Sequence, residues 1–205
     1  MNVTTDRRNG LLFVGAMAAV MWVVEVINAL DHYALDSGGI RPRATDGLDG
    51  IVFAPFLHAS WGHLVGNTIP FLVLGAVVAL SGLARVALVT IIVAVVGGLG
   101  TWLVAPSNTI HLGASGVVFG YAAYLVARGF STRRPLHLVT GALVAVVWGT
   151  TLLSGLVPRD GISWQGHLFG AIGGIVAAIV LAPKPAERTP GADRQPRSSV
   201  ASIRP

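Results

Sequence analysis

The chain has 205 residues, of which 53% are hydrophobic and only 11% are charged, and its formal net charge is +5. A soluble domain carries about 25% charged residues, so this composition excludes an ordinary soluble fold and indicates a helical membrane protein. The absence of cysteine excludes disulfides, thiolate nucleophiles and cysteine-ligated metals.

The apolar residues fall into six runs, each near the length that a helix needs to cross a bilayer. We therefore predict an all-α, polytopic six-helix bundle. The predicted spans are residues 11–30, 62–80, 84–104, 114–128, 136–153 and 165–182. The first run has neither the short apolar core nor the small-residue cleavage site of a signal peptide, so we expect it to be retained.

This pattern divides the chain into three parts. We expect a short N-terminal segment, 1–10, a six-span domain, 11–182, and a tail, 183–205. The tail holds five prolines and five basic residues with almost no apolar content. Such a composition cannot bury a core, so the tail is predicted to be disordered.

The basic residues flank the apolar runs, which indicates membrane topology rather than nucleic-acid binding. If the N-terminus is cytoplasmic, 11 of the 14 lysines and arginines lie inside, and only Arg41, Arg43 and Arg159 lie outside. The positive-inside rule therefore favours a cell-membrane protein with both termini in the cytoplasm and an even number of spans.

The fourth predicted span begins in an unusual way, because helix-breaking residues precede it. Thirteen residues separate Ser115 from Arg128, a helical length of about 20 Å. The hydrocarbon core is about 30 Å thick. If Arg128 marks the cytoplasmic face, Ser115 begins its helix below the outer surface, and the loop 105–113 dips into the membrane. Irregular backbone at that depth must be buried in protein or line a wet cavity.

Polar motifs mark the starts of three predicted spans. They are the stretch from His58 to Asn67 before and in span two, Gly113-Ala114-Ser115-Gly116 at span four, and Gly166-His167-Leu168-Phe169-Gly170 at span six. Spans two, four and six run in the same direction, so their starts share one depth in the outer half of the bilayer. The sequence therefore predicts one polar site assembled from three helices.

The residue types at this layer fit nucleophilic catalysis. A serine hydroxyl needs a base to become an effective nucleophile, and His167 is the available imidazole for Ser115. The glycines of spans four and six allow the close helix approach that this contact requires. His63 and Asn67, one turn apart, can donate to an oxyanion together with the Ser115 amide. Since no carboxylate lies near these motifs, we predict a dyad and not a triad.

The three motifs, in their order and on these spans, resemble those of the rhomboid family of intramembrane serine proteases. The resemblance covers roughly residues 45–182 and implies the six-helix rhomboid fold and cleavage of transmembrane proteins near their membrane-exposed ends. It also implies Ser115 as nucleophile and His167 as base, with His63 and Asn67 as oxyanion donors. It implies that the protein needs no cofactor and that its partners are transmembrane-helix substrates and membrane lipid.

The resemblance also assigns supporting positions. His58 resembles the loop histidine that precedes the oxyanion pair, and Gly113 and Gly116 flank the nucleophile. Phe119 stands where family members often have tyrosine, so it can stack on the histidine ring but cannot hydrogen-bond. The Trp-Arg pair that many members carry in the first loop is replaced here by a segment at about 47–50.

Several alternatives remain open on the sequence. Asn67 can be an interhelical bridge instead of an oxyanion donor. A metal bound by His58, His63 and His167 lacks a carboxylate or cysteine to complete its ligands, so we predict no metal site. A substrate-binding relative without activity would have a damaged dyad, and a channel would carry ionisable residues through both leaflets. His111 and His137 are predicted to be interfacial, and Glu25 is assigned no role.

Overall fold

The computed structural model describes residues 3–183. The predicted tail therefore lies, apart from Pro183, outside the described residues. The helices are α1 (Val3–Leu30), α2 (Gly50–Phe53), α3 (Trp61–Ala79), α4 (Leu83–Val104), α5 (Ser115–Thr132), α6 (Pro135–Gly155) and α7 (Trp164–Val180). No β-strand occurs within 3–183, where one isolated antiparallel bridge joins Ile40 to His111.

The predicted all-α membrane fold is confirmed, and six long helices coincide with the six predicted spans. Four of them, α1, α3, α4 and α6, are long and apolar enough to cross a membrane. Helix α7 is a shorter apolar helix of 17 residues, and α5 has 18. The count of six spans therefore stays a prediction. Helix α1 begins at Val3, so the boundary predicted at residue 11 is not a boundary of secondary structure.

Helix α5 lies at the centre of the bundle and packs most closely on α7. A methyl group on Gly170 would overlap the carbonyl oxygen of Gly116, and one on Gly174 would overlap that of Gly120. No side chain fits between the two backbones at these points. The close approach expected from the glycines of these helices is confirmed, and it brings the starts of α5 and α7 together.

Helix α6 is the peripheral member of the bundle. It packs mainly on α5, and its buried residues are Gly141, Val144 and Gly155. The remainder of its surface is apolar and exposed, as expected for a face in contact with lipid rather than water. Helix α6 ends at Gly155, beside the start of α7, so the last carbonyl of α6 lies within hydrogen-bonding distance of a side chain on α7.

Candidate active site

Ser115 and His167 are each placed by the first turn of a helix. Ser115 is the first residue of α5, and His167 is the fourth residue of α7. The hydroxyl of Ser163 caps α7 by accepting a hydrogen bond from the Gly166 amide at 3.2 Å. The two candidate catalytic side chains meet between the helices, where Nε2 of His167 lies 2.8 Å from Oγ of Ser115.

The other ring nitrogen of His167 is also engaged. Its Nδ1 lies 2.7 Å from the carbonyl oxygen of Gly155, at the end of α6. A carbonyl oxygen can only accept, so in the neutral ring the proton resides on Nδ1. Nε2 then carries the lone pair and accepts the hydrogen bond from the Ser115 hydroxyl. A backbone carbonyl thus orients the imidazole, which is the part that a carboxylate plays in a triad.

The face of the His167 ring lies against Phe119. The two ring centroids are 4.0 Å apart and the planes differ by 7°. Phe119 lies one turn after Ser115 on α5, so the same helix carries both the hydroxyl and the surface on which the imidazole rests. The stacking expected for Phe119 is present. Hydrogen bonds at both nitrogens and a stacked face leave the ring little freedom to rotate.

The loop before Ser115 is held by the first long loop of the chain. The Gly113 amide donates to the carbonyl of Ala54 at 2.8 Å, and the Ala114 amide donates to Nε2 of His58 at 3.4 Å. Gly113 has a φ of +109°, a conformation that favours glycine. His58 is fully buried, and this burial, with the nearby ring of His63, lowers its pKa to about 4. His58 therefore stays neutral and can accept from the backbone.

His63 and Asn67 face the same space from α3. Ser60 caps α3 by accepting from the His63 amide at 3.2 Å, which places His63 in the first turn. The His63 ring packs against Gly113, whose missing side chain gives it room. The Asn67 side chain is 6% exposed, and its Nδ2 has no hydrogen-bond partner within residues 3–183. It is a buried donor with spare capacity.

These side chains line one cavity of about 470 Å³. The polar residues on its wall are His63, Asn67, Thr109, His111, Ser115, Ser163 and His167. The three motifs predicted to converge do so here, with His58 just behind the loop that carries Ser115. The arrangement offers a hydroxyl, an adjacent base and spare donors at a single opening, which are the groups that acyl transfer needs.

His111 was not recognised from the sequence as part of this site. The sequence favours an interfacial position for it, and the structure buries its side chain, which is 8% exposed, on the wall of the cavity. Nδ1 of His111 lies 2.7 Å from Oγ of Ser163, and Nε2 lies 2.8 Å from Oγ1 of Thr109. The Thr109 hydroxyl donates to the carbonyl of Pro106, so it accepts from Nε2–H of His111. Nδ1 then accepts from Ser163.

This histidine joins three segments. Its backbone pairs with Ile40 through two hydrogen bonds of 2.8 and 3.0 Å, and its ring reaches the cap of α7. Burial lowers the pKa of His111, which favours the neutral ring that accepts from Ser163. The sequence feature that pointed to this contact was Ser163, three residues before Gly166, because serine at that position is typical of a helix N-cap.

A further buried titratable side chain lies in α1. Glu25 is fully buried in α1, and neither carboxylate oxygen has a hydrogen-bond partner within the described part of the chain. Between residues 3 and 183 no group of three or more histidine, aspartate or glutamate side chains is arranged to hold a metal ion.

Comparison with known proteins gives one family. A family model described as Rhomboid domain matches residues 46–184. An uncharacterized protein of Mycobacterium tuberculosis is 47% identical over 172 residues, which cover 80% of this chain and 71% of that protein. A second uncharacterized protein, from Mycobacterium leprae, is 46% identical over the same length and is covered to 68%.

More distant relatives carry the family in their names. A candidate rhomboid protease of Bacillus subtilis, YdcA, is 29% identical over 134 residues, or 64% of this chain and 66% of that protein. Rhomboid-like protein 11, chloroplastic, of Arabidopsis thaliana is 33% identical over 148 residues, or 65% of this chain and 52% of that protein. The chain therefore belongs to the rhomboid family and is a multi-pass intramembrane serine protease.

Proposed function

We propose that Ser115 and His167 form the catalytic dyad of this protease, and that it cleaves transmembrane substrates near their outer membrane end. The observation that carries the proposal is the 2.8 Å hydrogen bond between Oγ of Ser115 and Nε2 of His167. The contact of Nδ1 with the Gly155 carbonyl supports it, because that contact leaves Nε2 free to accept a proton.

The reaction then follows from the geometry. As Oγ of Ser115 attacks the scissile carbonyl, its proton passes to Nε2 of His167. The resulting imidazolium gives this proton to the leaving amine, and an acyl-enzyme remains on Ser115. A water molecule, activated by His167, hydrolyses the acyl-enzyme and restores the hydroxyl. No carboxylate is needed, since the Gly155 carbonyl accepts from Nδ1–H throughout.

The oxyanion of the tetrahedral intermediate needs donors. We assign this role to the His63 ring, the Asn67 amide and the backbone N–H of Ser115. Asn67 supports the assignment because its buried Nδ2 is otherwise unpaired within residues 3–183, and buried donors are normally satisfied. The Ser115 amide belongs to a helix N-terminus, where the first N–H groups are unpaired and the dipole favours negative charge.

The substrate reaches the cavity from the membrane in this proposal. A substrate helix approaches from the lipid, unwinds near its end and presents an extended peptide to Ser115. With the N-terminus in the cytoplasm, as the positive-inside rule favours, Ser115 and His167 lie in the outer half of the bilayer. The same assignment makes 11–182 the six-span protease domain.

Cleavage of a model transmembrane substrate by the purified protein tests the dyad. We expect Ser115→Ala and His167→Ala to lower turnover by at least about 10³-fold while the protein still folds. Ser131→Ala and His32→Ala are matched controls at exposed positions and should keep full activity. Turnover retained by Ser115→Ala would show that another group is the nucleophile.

A further inference from the structure

A cluster of three arginines and one histidine lies at the end of the bundle opposite the candidate active site. Arg85 comes from the first turn of α4, Arg128 from the last turns of α5, Arg134 from just before α6 and His137 from the first turn of α6. These four residues line a cavity of about 140 Å³, which we call the basic cavity. Arg128 lies about 20 Å along α5 from Ser115.

Among the described residues 3–183, none of those on the wall of the basic cavity is acidic. The ion pair found within residues 3–183 joins Arg41 to Asp46 in the first loop, away from the basic cavity. The nearest described acid in the adjoining space is Asp6, whose carboxylate accepts from the Leu83 amide at 3.2 Å. Three guanidinium groups thus share a small space without a described carboxylate beside them, and their mutual repulsion is lowered when an anion binds.

Two of the arginines are held in place by the fold. Nη1 of Arg128 donates to the Ser81 hydroxyl at 2.8 Å, and its guanidinium carbon lies 5.9 Å from the centroid of the Tyr124 ring. Nη1 of Arg85 donates to the Leu181 carbonyl. Both side chains are half-buried, and each keeps further N–H donors. Binding an anion there requires little additional ordering of these two side chains.

The shape of the space indicates what the anion is attached to. The same four residues also line a neighbouring cavity of about 700 Å³. Its other wall residues include the charged Asp6 and Arg7 as well as an apolar group, Val77, Leu80, Leu125 and Leu136. A small cationic recess beside a larger, partly apolar space fits a phosphate joined to glycerol and acyl chains. Arginine forks match phosphate geometry, and basic pockets between transmembrane helices bind lipid headgroups.

We propose that the basic cavity binds a phosphate group, and that its source is an anionic phospholipid at the membrane surface. The binding groups are the guanidinium groups of Arg85, Arg128 and Arg134. His137 lies beside them with its Nδ1 occupied, because the Thr132 hydroxyl donates to the Arg128 carbonyl and so accepts from the ring at 2.7 Å. The cavity is separate from the Ser115 site and does not depend on the catalytic assignment.

Neighbouring arginines provide a matched test. Both Arg133 and Arg134 are exposed, but only Arg134 lines the basic cavity. The full chain in mild detergent is titrated with short-chain phosphatidylglycerol, with short-chain phosphatidylcholine and with inorganic phosphate, and the melting temperature is followed. We expect phosphatidylglycerol to stabilise the wild type more than phosphatidylcholine does. Arg134→Gln should raise the half-saturating concentration about tenfold, and Arg133→Gln should leave it unchanged.

The other possible outcomes either identify a different source of the phosphate group or show that the basic cavity is not a binding site. Stabilisation by inorganic phosphate with the same dependence on Arg134, but none by phosphatidylglycerol, would keep the phosphate site and overturn the lipid source. An equal loss in Arg133→Gln and Arg134→Gln would mean diffuse attraction to a basic surface and would overturn the site. A half-saturating concentration that is unchanged by Arg134→Gln would also overturn the site. Cleavage activity measured without lipid shows that each variant is folded.

Discussion

Nδ1 of His167 lies 2.7 Å from the carbonyl oxygen of Gly155, so the end of α6 determines which nitrogen of the candidate base carries the proton. Gly155 is also the point at which α6 approaches Phe119. A methyl group there would lie 2.5 Å from Cζ of Phe119 and 3.0 Å from Nδ1 of His167. Glycine is therefore required for the ring to take its position.

The first prediction concerns Gly155→Ala. The added methyl displaces His167 from Ser115, and a displacement of about 1 Å costs roughly 10²-fold in turnover. We expect kcat for a model substrate to fall by about that factor. Gly149→Ala on the same helix is the control, because nothing lies within 4 Å of its added methyl. Its activity should be unchanged and its stability slightly higher. Normal kcat in Gly155→Ala would contradict the proposed orientation by the backbone carbonyl.

The second prediction concerns Phe119→Leu, which removes the stacked ring beneath His167. Aromatic pairs contribute about 0.5–1.5 kcal/mol, so we expect turnover to fall by roughly three- to tenfold while the substrate KM changes little. Phe130→Leu, at a position on α5 that is 71% exposed, should leave kcat unchanged. Equal rates for the two variants would show that stacking does not hold the imidazole.

The third prediction concerns the hydrogen bond between His111 and Ser163. His111→Ala and Ser163→Ala each loosen the start of α7, and we expect each to lower kcat about tenfold. The double variant should lose less activity than the product of the two single effects, because both single variants remove the bond between His111 and Ser163. Fully additive losses would mean that the two residues act separately. His32→Ala, at an exposed position, is the control.

Much of this organisation could be predicted from the sequence, because the bilayer allows few structures. Backbone groups in lipid must pair within a helix, so the apolar runs gave the helices to within a few residues, except at the start of α1. The convergence of Ser115, His167, His63 and Asn67 followed from the common direction of three spans. These predictions needed only the period and direction of the helices.

The contacts that orient the ring could not be predicted in the same way. The acceptor for His167 is the backbone carbonyl of Gly155, and every residue type has a backbone carbonyl. His111 reaches Ser163 only because Ile40 pairs with its backbone, and that pairing joins residues 71 positions apart in the chain. Such contacts depend on how loops fold, for which a single sequence has no periodic signal.

The fourth prediction concerns the contact between α5 and α7. Gly174→Ala would overlap the Gly120 carbonyl and also approach the Tyr124 amide at 2.9 Å. Since both contacts are with the backbone of α5, which cannot give way as a side chain can, the two helices must separate, and we expect a loss of about 2–3 kcal/mol of stability. Thermal unfolding in detergent measures this. Gly15→Ala, inside α1 with nothing within 4 Å, should unfold at the wild-type temperature or slightly above it.

The fifth prediction concerns pH and His58. Its pKa is about 4 in the folded protein and about 6.5 in an unfolded chain, so the unfolded chain binds more protons between these values. Stability is therefore complete above pH 6.5 and is lost as the pH falls toward 4, by at most about 3 kcal/mol. His58→Gln can still accept from Ala114 and should show a shallower decline. A decline of equal slope in both proteins would exclude His58 as its source.

The pairing of Ile40 with His111 bears on how the enzyme opens. Each residue donates its amide to the other's carbonyl, and separation of the two segments breaks both bonds and exposes both amides to deuterated water. When exchange proceeds through that separation, the two amides should show one common protection factor, although they belong to distant stretches of chain. Different protection factors for the two amides would show that the first loop does not move away from the segment before Ser115 as a unit. A substrate that requires such a movement would have to release the segment carrying Ser115 at the same moment.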